Sequence, residues 1–213
     1  MTTLDPTTAP GRTARNATPS DALAPTALAR TGAVAGVLTA LILLINAAKR
    51  AELLPTTDVT QLLAPFAQVF GIAFLASLYL AARGRSGLLG RIGFGVSFMA
   101  MALLVGVEFV VNLVFAQQTG PEIQALQDGP LGTALVVASV LFLLGTVTLA
   151  VALVSRGEAP AVPMIGYALG GTVVSLRAFV PEVALQIGLV LMAVSISALA
   201  IWLWRRAATR QAA

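Results

Sequence analysis

Apolar residues run in six long stretches along the chain, and in none of them do they alternate with polar positions. The stretches cover residues 31–48, 61–82, 92–116, 131–155, 161–179 and 183–204. A bilayer core takes about 20 apolar residues in helical form, and a backbone in lipid must satisfy its own polar groups. Each stretch is therefore expected to be a membrane helix. A lipid-embedded barrel requires alternation, which is missing. The predicted fold class is all-α, a polytopic bundle of six transmembrane helices. The fourth stretch carries no charge. The fifth holds Pro163, Gly166, Gly170, Gly171 and Arg177, and is also compatible with a re-entrant or tilted segment.

Outside these stretches the pattern changes. Residues 1–28 are rich in Thr, Ala and Pro (Pro6, Pro10, Pro19, Pro25) without apolar periodicity. Such a segment buries too little surface to offset its ordering entropy, so it reads as a disordered tail. A secretory signal would place its apolar core nearer Met1, so the first stretch reads as a retained helix. The expected division is a tail over 1–28, a transmembrane domain over 29–206 and a short C-terminal tail over 207–213. Gly120-Pro121 and Gly129-Pro130 bracket the third connection as breakers. Between them a short surface helix is expected over 121–127, with Pro at its first position. All connections are short, so consecutive spans should pack as antiparallel neighbours.

The basic residues set an orientation. Arg12, Arg15, Arg30, Arg83, Arg85, Arg91, Arg156, Arg205, Arg206 and Arg210 fall on one side of the six-span layout. Lys49, Arg50 and Arg177 fall on the other. The positive-inside rule then places both termini in the cytoplasm. Trp202 and Trp204 suit an interfacial belt at the inner end of the last span.

Composition agrees with lipid as the solvent: 58% of the 213 residues are hydrophobic and 10% charged, against about 25% charged in soluble domains. The net charge of +4 flanks apolar segments instead of forming a nucleic-acid stripe, so no nucleic-acid partner is expected. Arg dominates over the single Lys49, and Ala, Gly and Val are abundant. This bias points to a GC-rich bacterial source and to the bacterial plasma membrane.

Cysteine and histidine are absent. This excludes disulfides, the usual zinc sites, serine–histidine hydrolysis, H-E-x-x-H proteolysis and ordinary haem ligation. No span contains an aspartate pair for aspartyl chemistry. The glycine-rich run Gly90-Arg91-Ile92-Gly93-Phe94-Gly95 lacks the spacing and lysine of a phosphate loop. No cofactor or metal is expected.

What remains is a set of intramembrane polar residues. Glu108 falls past the midpoint of the third span, roughly 7 Å from the centre, and Arg177 roughly 10 Å past that of the fifth. An intramembrane charge costs at least about 2.5–3.5 kcal/mol, and an opposite charge at matching depth is the least costly remedy. Glu108 and Arg177 are therefore expected to meet. Ser97, Met101, Leu104, Glu108 and Asn112 share one helical face, as do Gly166, Gly170, Val173 and Arg177. Gly32, Gly36, Thr39, Leu43 and Asn46 repeat the pattern on the first span. Gln68 and Gln186 lie at similar depth. The expectation is a polar layer in the outer leaflet made of Asn46, Gln68, Glu108, Asn112, Arg177 and Gln186.

A structural lock formed by Glu108 and Arg177 is the plain reading of that layer. The functional reading preferred here is a non-enzymatic membrane protein. Its polar layer would bind a small apolar or lipid-like ligand, or a partner. The alternative is a small proton-coupled secondary transporter in which Glu108 takes up and releases a proton while Arg177 competes for the carboxylate. A membrane enzyme is the weakest of the three. The partners expected are the lipid bilayer and either a second copy of the chain or another membrane protein.

Overall fold

The computed structural model describes residues 19–82 and 86–209, with side chains from Thr26 onward. Residues 1–18, the greater part of the expected tail, lie outside the described residues, as do Arg83, Arg85 and Arg210. Eight α-helices and no strands occur among the described residues. They are α1 (Pro19–Arg50), α2 (Asp58–Leu63), α3 (Phe66–Ala82), α4 (Gly87–Phe109), α5 (Gly120–Gln127), α6 (Pro130–Ser155), α7 (Ala161–Ser175) and α8 (Glu182–Thr209). Helix α1 thus begins at Pro19, inside the segment assigned to the tail, and α8 continues past residue 206.

Five segments are long and apolar enough to cross a membrane: Thr26–Arg50, Asp58–Ala82, Gly87–Gln117, Pro130–Ser155 and Glu182–Thr209. The fifth stretch of the sequence departs from expectation. Helix α7 has 15 residues, roughly 22 Å at 1.5 Å per residue, short of the ~30 Å hydrocarbon core. Its end has local causes. Thr172 and Ser175 turn their hydroxyls back to the carbonyls of Ala168 and Gly171, each at 2.8 Å, a side-chain bond that bends or weakens a helix. Pro181 then disfavours helical geometry at Val180. Arg177 consequently sits in the turn after α7 and not within the helix.

The long helices form a closed ring in chain order. Helix α1 packs on α3, α3 on α4, α4 on α6, α6 on α7, α7 on α8, and α8 returns to α1. The pairings are antiparallel: Gly32 faces Ser77 and Gly36 faces Phe74 between α1 and α3, while Gly166 faces Ser195 and Gly170 faces Met192 between α7 and α8. At one end Arg30 of α1 lies over the Trp204 ring of α8, 5.5 Å from its centroid. At the other end Arg50 meets Glu182.

Lipid tails are as apolar as leucine, so these helices adhere by close contact more than by the hydrophobic effect. The α4–α6 and α7–α8 contacts bring backbone against backbone, Gly170 of α7 lying against the Gly188 carbonyl and Met192 nitrogen of α8. A Cβ placed on Gly93 would stand 2.7 Å from the Leu149 nitrogen, and one on Gly145 would stand 2.5 Å from the Ser97 nitrogen. Hydroxyls add bonds within and across helices: Ser77 Oγ donates to the Leu28 carbonyl at 3.2 Å and Thr39 Oγ1 to the Ala35 carbonyl at 2.9 Å. Tyr79 and Phe94 stack between α3 and α4 with centroids 4.3 Å apart. The outward faces are apolar too, with Val136, Leu144, Ile187 and Val194 exposed. This is the all-round hydrophobicity of helices whose surroundings are lipid.

The third connection forms its surface helix, α5, as its Pro121 start implies. The Glu122 carboxylate accepts from both the Thr119 N–H and its hydroxyl, each at 2.7 Å. These bonds cap the helix and hold the Glu122 carboxyl below its usual range.

The backbone contact between α4 and α6 generates a prediction. Gly93→Val and Gly145→Val should each destabilise the bundle by about 1–3 kcal/mol, since the neighbouring atoms are main chain and cannot rotate away. Gly95→Ala, whose Cβ meets open space, should not destabilise it. Reversible denaturation in detergent micelles measures the difference.

Candidate functional site

At the end of the ring where α1, α4 and α7 finish and α3 and α8 begin, the interior opens into a cavity of about 420 Å³. Asn46, Gln68, Glu108, Asn112 and Arg177, expected from sequence to share a layer, all line it. Gln186 does not. It lies on the outer side of the α1–α8 seam, where its amide donates to the Arg50 carbonyl at 3.0 Å and it borders a shallow apolar groove with Leu44 and Val190. The reason is rotational: the α8 face turned inward is the one carrying Leu185, Leu189 and Met192, and Gln186 is one residue out of phase with it.

Glu108 and Arg177 meet, with Oε1 and Nη1 3.7 Å apart. Glu108 is on α4 and Arg177 on the turn that follows α7, two elements with α6 between them in the ring, so the pair reaches across the interior. That separation is an ion pair but too long for a hydrogen bond. Both side chains stay in part accessible, Glu108 at 19% and Arg177 at 26%. The second carboxylate oxygen of Glu108 accepts from the Asn112 amide at 2.9 Å, and the same amide also donates to the Glu108 carbonyl at 2.9 Å.

The backbone beneath this bond is irregular. Val110–Val114 form a π-helical turn, in which the Phe115 N–H reaches back five residues to the Val110 carbonyl. Single π turns inside α-helices are frequent at functional sites. Here the wide turn holds Asn112 one helical turn beyond Glu108 and leaves both side chains facing the cavity.

Several lining residues were not singled out from the sequence. Lys49 and Arg50 complete the last turn of α1 beside Asn46, where cations also complement the helix dipole. Lys49 Nζ donates to the Thr60 carbonyl of α2 at 3.2 Å, tying that short helix over the cavity. Arg50 pairs with Glu182 at 2.8 Å at the more exposed rim. Gln61 of α2 adds another amide. The one available signal was spacing, because Lys49 and Arg50 lie three and four residues after Asn46 and so share its face. Glu182 gave none, since its place depends on which helix ends meet.

The cavity is amphipathic. Its walls carry the cations Lys49, Arg50 and Arg177, the carboxylates Glu108 and Glu182, and four side-chain amides. Its apolar lining includes Leu43, Phe142, Leu185, Leu189 and Met192. Three cations face two carboxylates, which leaves the lining with a positive surplus. Among the described residues no group of three or more His, Cys, Asp or Glu is placed to hold a metal. No known family, curated protein or solved structure matches the chain.

The loose ion pair also generates a prediction. Arg177→Met should destabilise the bundle by leaving Glu108 without its nearest cation, and adding Glu108→Gln should recover part of the loss. A double-mutant cycle read by denaturation in detergent should give a coupling of about 0.5–3 kcal/mol. Purely additive losses would show that the two groups do not sense each other.

Proposed function

We propose that the protein is a non-enzymatic membrane protein that binds a small amphipathic, lipid-like ligand in the cavity built around Glu108 and Arg177. The observation that carries this reading is the convergence of Asn46, Gln68, Glu108, Asn112 and Arg177, from four separate segments, on one opening. A sealed lock would bury such a pair. This pair stays in part accessible from the cavity, is incompletely hydrogen-bonded and is set against an apolar floor. The cavity volume of about 420 Å³ lies within the range of small-molecule sites, about 300–1,000 Å³.

The reading includes a topology. Helix α7 and residues 176–180 would make the sixth crossing, with both termini in the cytoplasm of a bacterial cell and the cavity on the outer side of the plasma membrane. Charge supports that orientation. Arg30, Arg91, Arg156, Arg205 and Arg206 mark the opposite end of the ring, against Lys49, Arg50 and Arg177 at the cavity end, and the side richer in Arg and Lys is the cytoplasmic one by the positive-inside rule.

Native mass spectrometry of the purified protein should detect one bound amphiphile per chain. Glu108→Gln, Arg177→Gln and Asn112→Leu should lower its occupancy, and Gln186→Leu, outside the cavity, should leave it unchanged. A wild-type protein that carries no amphiphile, or losses as large with Gln186→Leu, would refute the proposal.

A second reading has its own observation in its favour: the carboxylate of Glu108 is reachable from the cavity and only loosely paired. Proton-coupled transport through Glu108 would use that accessibility. Proteoliposomes under a pH gradient should then carry a proton flux that Glu108→Gln abolishes. Equal flux in variant and wild type would remove Glu108 from any coupling role.

A further inference from the structure

The early stop of α7 leaves a second opening beside the first. Between α6 and residues 175–179 lies a groove of about 630 Å³ on the outward surface of the bundle. Its walls are mainly apolar, with Leu135, Val136, Val140 and Leu143 of α6 and Phe179 beyond α7. Phe179 is 86% exposed. Arg177 lines both this groove and the central cavity, so one basic residue forms part of the wall between them. Among the described residues no other borders both.

We propose, building on the amphiphile-binding reading above, that the ligand is an anionic lipid amphiphile that enters sideways from the bilayer between α6 and α7. Its acyl chain lies in the α6–α7 groove and its phosphate or carboxylate headgroup is held by Arg177 at the cavity wall. Three features of the site fit this occupant. The groove faces lipid, the solvent in which an acyl chain already resides. Its polar end is a cation, and guanidinium matches phosphate and carboxylate in bidentate geometry. The 3.7 Å contact with Glu108 leaves Arg177 able to turn to a second anion, while Lys49 remains on the cavity wall beside Glu108.

The test is photo-crosslinking of the full chain in nanodiscs with oleoyl lysophosphatidate carrying a diazirine at the chain end. The expected result is saturable labelling of α6 around Val136 and Val140 and of Phe179. Arg177→Gln should weaken it about tenfold or more, the size of a lost charge-assisted bond, and Arg177→Lys should partly restore it. Val140→Trp changes a lipid-facing position that the fold does not depend on, and should also reduce labelling by filling the groove.

Saturable labelling of Leu185 or Leu189 instead would overturn lateral entry while leaving the central-cavity reading intact. Equal labelling by the choline-headgroup analogue would overturn the anionic assignment. Protection of the site by glycerol phosphate alone would show that a water-soluble anion, and not a lipid, is the ligand. Labelling that does not saturate would overturn both proposals.

Discussion

Close approach of helix backbones is the constraint on which this structure depends. In lipid, two apolar surfaces gain little by leaving their solvent for each other, so adhesion needs small side chains that bring main chains together. The closest such contacts, Gly93 on Leu149 and Gly145 on Ser97, lie away from the cavity, as do Gly32 and Gly36 of α1. At the cavity end the inward positions carry Asn46, Gln68, Glu108 and Arg177 instead. Small residues also hold the α7–α8 seam beside the cavity, where Gly170 lies against Gly188 and Met192, and the interior opens where long polar side chains turn inward from the other helices.

The polar end is not a random collection of helix termini. Asn112 bonds twice to Glu108 and sits in a π-helical turn, so the main chain gives up regular helical bonding where the carboxylate is presented. Lys49 secures α2 and Arg50 pairs with Glu182 at the rim. Arg177, carried on a turn, is the one lining charge that is not part of a helix. It is also the residue shared by the inner cavity and the outward groove.

Much of this was legible in the chain. Six apolar stretches gave the helices and their antiparallel succession, and matching depth gave the meeting of Glu108 and Arg177. Depth alone could not give rotation about the helix axis, and there Gln186 failed: it has the right level and the wrong face. Nor could apolarity give the length of α7, which ends where Thr172, Ser175 and Pro181 act on the backbone. Those are local hydrogen-bond and steric effects that a hydropathy pattern does not register. Glu182 and Lys49 entered the site through ring closure and through the seating of α2, both tertiary events.

The shortness of α7 has a consequence for the membrane itself. Irregular backbone exposed to lipid is not tolerated within the hydrocarbon layer, and residues 176–180 follow α7 on the outward surface of the ring. With α7 as the proposed sixth crossing, a bilayer around this protein would thin locally at the α7 face, drawing headgroups and water down toward Arg177 at a cost of fractions of a kcal/mol per Å. Against the full-length helices across the ring, such as α1, it would keep its ordinary thickness. The protein would therefore sit in an asymmetric dimple, and its surroundings would respond to the acyl-chain length of the lipids around it.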